Sequence, residues 1–460
     1  MKKNKKGFFP WHLTPAVFAL AWPTMLEQLM QTAVQYVDTA MVGSLGTDAT
    51  AAVGATTTIN WLINSTISAL AIGFLAFISQ AMGRKDEHSA RRASAQAVLA
   101  CLGLGIFFTV LTTVLSPLVP VWMQVDKPIR ALAAKYFFIL YLPMLPRAAT
   151  IIFGTVLRSV GDTKTPMRIG IAVNICNVVL NFLLIYPSRK IAGIFIPGAG
   201  WGVVGAAVAS AAAFTLGGIA ITVSLWRHKV ISPRGQRIAP DPSILAPCLR
   251  VAVPNGLQRF GTSLGYVAFA AMVNSLGEIS TAAHTIANTV ESAFYIPAYG
   301  MQTAAATLSG NALGAKDGEK IALQARLLLF LEVALMIISG GILFLSAPAM
   351  MKIFSRDATV IYLGTTVLRM VALSEPFYGV SIIIEGMMQG MGRTVMPFIT
   401  NIIGMWVIRI GGTFICTQLL SMGLVSAWGC MILHNMMLFA VFSVYWMSGK
   451  ANPLKKKKDL

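Results

Sequence analysis

The chain has 460 residues, of which 56% are hydrophobic and only 12% are charged, and its mean hydropathy is +0.71. Soluble domains carry roughly 25% charged residues, so no aqueous surface could enclose this sequence, and we predict an all-α integral membrane protein. A formal net charge of +19 is also typical of nucleic-acid-binding proteins. Here the basic residues fall on alternate loops between the predicted spans, and we therefore expect no nucleic-acid partner.

Twelve apolar stretches recur along the chain, each near or above the length of about 20 residues that a membrane-spanning helix needs. The first stretch is too long for a secretory signal and is taken as a retained helix. In chain order the predicted spans are 13–43, 50–80, 92–122, 131–158, 166–187, 201–226, 246–274, 281–313, 323–354, 361–391, 396–419 and 423–448.

The basic residues predict the orientation of these spans. Most of the 36 Lys and Arg residues lie at the termini and in the loops of one side. The positive-inside rule places that side, with both termini, in the cytoplasm, and Lys455 to Lys458 would contact anionic lipid headgroups. We expect a monomeric, multi-pass protein of the cell membrane. The loops of the opposite side contain only Lys127, Arg130, Arg189, Lys190, Lys352 and Arg356.

An internal repeat relates the two halves of the chain. Residues 23–86 align without a gap onto residues 254–317, at an offset of 231 residues that persists into the fourth loop. Such a repeat indicates that one six-span template was used twice. The matched positions include Pro23 with Pro254, Ser44-Leu45-Gly46 with Ser275-Leu276-Gly277, Lys85-Asp86 with Lys316-Asp317, and Gly161 with Gly392.

Six spans in each half give both halves the same orientation, as in transporters built from parallel repeats. We therefore predict two pseudo-symmetric six-helix lobes around a central cleft. The N-terminal lobe would comprise residues 1–226 and the C-terminal lobe residues 248–460, with a basic cytoplasmic tail. Residues 227–247 would form a cytoplasmic linker between them.

Ionisable side chains at bilayer depth cost about 2.5 to 3.5 kcal/mol each on insertion scales and mark function by default. On the first span Glu27, Gln31, Gln35 and Asp38 are spaced by four, four and three residues, so they share one helical face that must turn away from lipid. We interpret Glu27, Gln31 and Gln35 as possible contacts for substrate in the cleft.

A candidate cation site involves the fifth and sixth spans as well. Asn174, Asn177 and Asn181 share one face of the fifth span, and Asn181 and Ser210 lie at the same depth as Asp38, roughly 8 to 12 Å from the outer edge. One carboxylate, two amide oxygens and a hydroxyl suit a hard cation. Asp38, Asn177 and Asn181 would hold Na⁺, or Asp38 would take a proton. The sequence leaves both coupling ions open, and we expect no other cofactor.

The second half of the chain lacks this combination. The residues that match Asp38, Asn177 and Asn181 are Phe269, Ile408 and Gly412. The predicted cation site therefore belongs to the first half alone.

Other polar residues mark the second half. Glu291 and Tyr295 form a stripe on the eighth span, and Glu375 and Glu385 lie on the tenth. These four, together with Asn174, are possible cleft or substrate contacts. Alternatively, the two acids of the tenth span could pair across helices with Arg259 and Arg409. No Walker motif, nucleophile elbow or Cys/His cluster occurs, and we expect no enzymatic activity.

The chain resembles the MATE (multidrug and toxic compound extrusion) family over residues 13–448. The residues that carry the resemblance are Pro23 with Asp38 in the segment 37–43, the loops 83–86 and 161–166, and Ala282-Ala283-His284. The resemblance implies export of drugs and organic cations in exchange for Na⁺ or H⁺, by alternating access. It implies that Asp38, Asn177, Asn181 and Ser210 form the first-lobe cation site, and that the first helix bends at Pro23.

Some relatives in that family have an acidic site in the second lobe, and its matching positions here are Thr262 and Tyr378. We do not expect a second-lobe site of that type. The alternative function is that of a flippase for lipid-linked oligosaccharides, because the resemblance implies that such flippases share the same superfamily architecture. A flippase would require cationic residues for pyrophosphate, whereas the acids within the spans favour small cationic, amphiphilic cargo.

Overall fold

The computed structural model describes residues 9–191 and 194–454. This part of the chain folds into helices joined by short turns, with a single β-hairpin. The helices are α1 (Thr14–Gly43), α2 (Thr47–Gly83), α3 (Glu87–Leu115), α4 (Val119–Trp122), α5 (Lys127–Tyr141), α6 (Met144–Ser159), α7 (Lys164–Ile185), α8 (Gly202–Arg227), α9 (Pro242–Asn274), α10 (Glu278–Gly314), α11 (Gly318–Phe354), α12 (Ala358–Ala372), α13 (Glu375–Gly390), α14 (Val395–Leu419) and α15 (Leu424–Met447).

Seven helices in the described part of the chain are long and apolar enough to cross a membrane, and nine spans result if each bent helix pair counts as one. The pairs are α5 with α6 and α12 with α13. Three further helices, α1, α9 and α10, have 30, 33 and 37 residues and are long enough to span. They carry Asp38, Arg259 and Glu291. Together these helices make the twelve spans that the sequence predicts.

The internal repeat extends to individual backbone angles. Gly161 and Gly392, in matching loops, have φ values of +91° and +76°, which glycine adopts without a steric penalty. Lys85 and Lys316 both adopt a left-handed conformation, with φ of +60° and +55°. Such conformations are uncommon for residues other than glycine, so their recurrence at the same offset indicates that both halves use the same turns.

The broken spans also recur at the offset of 231 residues. The break between α5 and α6 lies at residues 142–143 and that between α12 and α13 at 373–374. The two bends are 48° and 52°. A proline, Pro143, accompanies the first break, whereas the second has Ser374 there. Each half therefore contains a discontinuous helix at the same place.

The halves differ after their fifth span. In the first half, β1 (Pro187–Ile191) and β2 (Ile194–Ala199) form an antiparallel hairpin before α8. Arg189 pairs with Ile196 across it, with a bulge between Pro187 and Arg189. The second half has only a short turn between α14 and α15. The second repeat is therefore about ten residues shorter here, since the spacing of matching residues falls from 231 at Gly161 and Gly392 to 221 at Gly202 and Gly423.

Contacts within the described chain define two compact units, and their division differs from the predicted lobe boundary at 226–248. The first part of α1, up to Met25, and Ser79–Asp86 belong with the residues from Arg250 onward; Leu26–Ile78 and Glu87–Leu249 form the other unit. Thr24 shows why, since its hydroxyl donates to the Gly300 carbonyl at 2.8 Å. The linker residues belong to the unit that contains most of the first half.

Candidate functional site

The Asp38 carboxylate lies against α7. The Asn181 amide nitrogen donates to Asp38 Oδ1 at 2.6 Å. Asn181 is 1% exposed and Asp38 is half-buried. A short hydrogen bond from a buried amide fixes the carboxylate on the face of α1 that turns away from lipid. The first contact of the predicted cation site is therefore present.

Asn177 and Ser210 complete the cluster. The end of the Asn177 amide nearest Asp38 lies 2.9 and 3.1 Å from the two carboxylate oxygens, and the other end lies 3.0 Å from Ser210 Oγ. If the nearer end is nitrogen, it donates to an ionised carboxylate. If it is oxygen, a proton or a cation must separate it from Asp38, because two oxygens so close otherwise repel. The amide is thus suited to either charge state of Asp38.

One oxygen in the cluster has no protein partner. Asn181 Oδ1 is buried, and no hydrogen bond to it exists among the described residues. A buried acceptor without a partner costs about 1 to 3 kcal/mol, which binding of a cation or of a proton donor would remove. The structure thus brings together the four residues Asp38, Asn177, Asn181 and Ser210, whose coupling role remains a prediction.

The other polar residues near this cluster have different surroundings. Gln31 and Gln35 are exposed along α1. Asn174, one turn before Asn177 on α7, has an amide nitrogen that is buried without a hydrogen-bond partner among the described residues. Among the described residues no hydrogen bond joins any of these three to Asp38, and their role in substrate binding remains a prediction.

Glu27 forms an ion pair with Arg158 at the end of α6. The Arg158 guanidinium donates to the two carboxylate oxygens at 2.6 and 2.7 Å, and both side chains are largely buried. Gly170 of α7 packs beside the carboxylate, and a Cβ there would make an ordinary contact with Glu27 Oε1 at 3.5 Å. Glu27 therefore pairs with an arginine at the end of the predicted span 131–158, a pairing that the sequence did not predict.

Arg147 is a second buried arginine whose partners the sequence did not predict. Its guanidinium donates to the Asn60 side chain and lies 4.7 Å from the Phe214 ring centroid. Cation–π contacts of this kind stabilise a desolvated arginine. The only signal in the sequence was an arginine inside a predicted span, four residues after the Pro143 break.

In the second half, an arginine lies where the first half has its carboxylate. Arg409 is 3% exposed and stacks over Phe269, the residue that matches Asp38, with 4.4 Å between Cζ and the ring centroid. Tyr266 lies 4.8 Å from the same Cζ. The backbone of α14 is π-helical over Gly404–Gly411, where Arg409 is located. The second half thus carries a fixed positive charge at this position.

The predicted pairing of Glu375 and Glu385 with Arg259 and Arg409 is wrong. No ion pair within 4.0 Å links these residues in the described part of the chain. Arg259 donates instead to the Asn255 side chain at 3.0 Å. Side-chain amides at shorter range thus bond to Arg259 and Glu385, two of the four groups that the sequence suggested would pair as charges.

Amide groups surround Glu385. Its carboxylate accepts from Gln258 at 2.9 Å, from Gln389 at 3.1 Å and from Asn401 at 3.2 Å. Three neutral donors on α9, α13 and α14 therefore hydrogen-bond the carboxylate directly, while the Arg259 charge acts on it at longer range. None of the three was singled out from the sequence.

The remaining candidates of the second half are buried. Glu291 is 6% exposed and Glu375 is 2% exposed. Tyr295 packs edge to face on Tyr299 and Tyr378, with centroids 6.0 and 6.1 Å apart. Tyr378, which occupies a position where some relatives have an acid, hydrogen-bonds Tyr299 through its hydroxyl at 3.0 Å. A tyrosine cluster therefore replaces the acidic site at that position.

Comparison with known protein families identifies both halves. A family model described as MatE matches residues 23–183 and again residues 254–415. The two matched segments start 231 residues apart, as the internal repeat does. Each half of this chain thus matches one copy of the same family unit.

The relatives and structural neighbours agree with that match. The "Probable multidrug resistance protein NorM" of Thermotoga maritima is 25% identical over 449 residues, which cover 97% of this chain and 95% of that protein. Two solved structures each have a TM-score of 0.89 at 22% identity and cover 99% of this chain and 100% of theirs. One is described as an outward-facing conformation of a multidrug resistance MATE family transporter, and the other as a MOP superfamily transporter of Pyrococcus furiosus whose reverse polarity of the binding pocket suggests a different function.

Proposed function

Because the chain belongs to the MatE family, which its two matched halves show, we propose that it exports organic cations in exchange for Na⁺ or H⁺. The observation that carries the coupling role is the 2.6 Å hydrogen bond from Asn181 to Asp38. It places the carboxylate of α1 in a cluster of oxygen and amide groups. A coupling ion there would neutralise Asp38 and change its bond to α7.

The contacts of α1 support a coupling between ion binding and helix movement. Pro23 lies within α1 and donates no backbone hydrogen bond. Thr24 bonds to Gly300 of α10, whereas Glu27, three residues later, bonds to Arg158 of α6. The compact units divide between Met25 and Leu26. A change at Asp38 would therefore act on the part of α1 that follows its proline.

Export requires that ion and substrate differ in affinity between two states. A coupling ion that binds only one conformation of α1 shifts the population toward that conformation by its differential affinity alone. An organic cation would bind the state in which the carboxylate is free and leave when the ion returns. The acidic side chains within the spans favour positively charged cargo, because a carboxylate attracts an organic cation.

The charge distribution supports the orientation we propose. Both termini would be cytoplasmic, in a protein that works as a monomer in the cell membrane. Arg91 and Arg92, at the start of α3, contact the segment before α9 through Val230 and Asp241. The basic residues of this side thus form one surface suited to anionic lipid headgroups.

The test is transport by the purified protein in liposomes under separately imposed Na⁺ and proton gradients, with a fluorescent organic cation inside. We expect efflux driven by one gradient and its loss in Asp38→Asn. Asp48→Asn, an exposed acid in the first turn of α2, is the matched control and should transport normally. Full gradient-driven efflux in Asp38→Asn would overturn the proposed coupling role. Transport of a lipid-linked oligosaccharide in place of the cation would favour the flippase.

A further inference from the structure

Glu332 is the most completely buried acid of the second half. Its side chain, in the middle of α11, is 0% exposed. Neither carboxylate oxygen has a hydrogen-bond partner in the part of the chain that the structure describes. Removal of an ionised carboxylate from water without a partner costs far more than a folded protein tolerates, so such a group binds a proton instead. An intramembrane acid of this kind points to a role in the transport cycle.

Glu375 faces the same helix interface from α13. It is 2% exposed, and its Oε2 has no hydrogen-bond partner among the described residues. It is the first residue of α13, directly after the break that follows α12. In transporters, discontinuous helices of this kind often bear ion and substrate sites, because the break frees backbone groups.

Two glycines bring the acids to one interface. A Cβ on Gly379 of α13 would lie 3.0 Å from Glu332 Oε1, and a Cβ on Gly340 of α11 would lie 3.6 Å from the Cβ of Glu375. Each acid therefore packs against a glycine of the opposite helix. At Gly379 the missing methyl group leaves room for the Glu332 carboxylate and the Met336 side chain, whereas at Gly340 it leaves room for the Ala372 carbonyl beside Glu375.

The neighbouring titratable groups are acids and phenols. Glu291 and Tyr295 come from α10, which packs on both α11 and α13, and Tyr378 lies one turn after Glu375. No ion pair within 4.0 Å joins Glu332, Glu375 or Glu291 to a basic residue in the described chain. Arg409 acts on Glu291 at longer range, but with no basic residue at ion-pair distance in the described chain, a proton or a small cation is suited to neutralise Glu332 and Glu375.

We propose that Glu332 and Glu375 form a second, proton-binding site in the second half, separate from Asp38. Binding forms one O–H bond on a carboxylate oxygen with a proton taken from water, and release returns that proton to water. An organic cation that binds nearby would favour release, because the free carboxylate then balances its charge. This last step rests on the proposed function, whereas occupancy by a proton does not.

Infrared difference spectroscopy tests occupancy directly on the purified full-length protein in lipid. We expect a carboxylic acid C=O band that shifts in D₂O, and the loss of one component of it in Glu332→Gln and of another in Glu375→Gln. Glu319→Gln, an exposed acid in the first turn of α11, is the control and should leave the band unchanged. The proposal would be overturned if Glu332→Gln and Glu375→Gln both kept the wild-type carboxylic acid band at every pH. If Glu332→Gln does not fold, Glu375→Gln and the D₂O shift of the wild type carry the test.

Proton release on binding of tetraphenylphosphonium separates this proposal from the proposed function. In weakly buffered solution, wild-type protein should release protons when the cation binds, and Glu332→Gln should release fewer. If the wild type does not bind the cation, the proposed function fails while the infrared result still stands. If it binds and Glu332→Gln and Glu375→Gln both release as many protons as the wild type, the second site takes no part in exchange and this proposal is wrong.

Discussion

Glu27 and Arg158 form an ion pair in which one guanidinium nitrogen, Arg158 Nη2, donates to both carboxylate oxygens at 2.6 and 2.7 Å. The pair links α1, three residues after Thr24, to the last turn of α6. Both side chains are largely buried. Burial of two charges is costly in itself, so this pair is better explained by the conformation it selects than by the stability it adds. It fixes the part of α1 that follows Pro23 against the end of α6.

Loss of one partner of this pair should be costly. Glu27→Ala leaves the Arg158 charge without its carboxylate, and we expect a loss of about 3 to 5 kcal/mol in stability. Reversible unfolding in mixed detergent micelles measures it. The double variant Glu27→Ala with Arg158→Leu should regain a large part of the loss, because no buried charge remains. Additive losses in the double variant would show that the two residues act independently.

Loss of Asn181 should change the affinity for the coupling ion: Na⁺ should bind more weakly because the amide oxygen is gone, whereas a proton should bind more tightly because the ionised carboxylate loses a hydrogen bond. Asn181→Ala removes a charge-assisted hydrogen bond worth about 1.5 to 3 kcal/mol together with the unpartnered amide oxygen. We expect the Na⁺ or proton concentration for half-maximal efflux to change by at least about tenfold, since 1.4 kcal/mol equals tenfold in affinity. Asn174→Ala on the same face of α7 is the control, and its ion dependence should match the wild type. Equal shifts in both variants would refute a specific role for Asn181.

The sequence predicts the spans well, and the reason is physical. In a bilayer every backbone group must be satisfied within its own helix, so a long apolar stretch marks most of the spans. The repeat then predicts that the spans form two six-helix halves with the same orientation. The spacing of Asp38 on one helix and of Asn177 and Asn181 on another places the three residues on faces that can meet. The four-residue cluster could be predicted because depth and helical face fix its members.

Pairing between helices could not be predicted in the same way. Arg158 looks like a cytoplasmic residue because it lies near the end of α6, yet a long side chain reaches back to Glu27. Arg259 and Glu385 have opposite charges but bond to amides nearby, since Asn255 and Gln258 are closer. Side-chain direction and the choice between a charge and an amide depend on packing that no spacing rule supplies.

The linker should detach from α3 when Arg92 is removed. Arg92 forms an ion pair with Asp241, and Gln96 donates to the Ala239 carbonyl at 2.7 Å. Arg92→Ala should make local opening of the linker more frequent, because this ion pair is one of the contacts that hold the linker on α3. Trypsin should then cleave after Arg234 faster than in the wild type, and Arg84→Ala is the control. Unchanged cleavage would mean that Arg92 does not hold the segment.

Acid should release the same segment. Hydrogen bonds from Ser243 and then Arg92 lower the pKa of Asp241 below its ordinary value. Because the pKa of Asp241 is lower in the docked segment than the value of about 4 in the unfolded chain, ionised Asp241 stabilises the docked segment at pH values above about 4. That stabilisation is lost as the pH falls through the lower folded-state pKa. Hydrogen exchange of residues 229–240 should therefore accelerate, after correction for intrinsic rates, only below about pH 4. Asp241→Asn should remove this dependence, and an identical pH profile in that variant would contradict it.

Two adjacent glycines on α11 give the sharpest test of close helix packing. A Cβ on Gly340 would lie 2.7 Å from the Ala372 carbonyl oxygen, whereas one on Gly341 would meet nothing within 4 Å. Gly340→Ala forces α11 away from the end of α12, and we expect a loss of about 1 to 3 kcal/mol. Gly341→Ala should be neutral or stabilising by up to about 1 kcal/mol, because alanine favours the helix. Thermal unfolding of both variants in detergent measures the difference, and equal midpoints would show that α11 and α12 do not pack as closely as this structure has them.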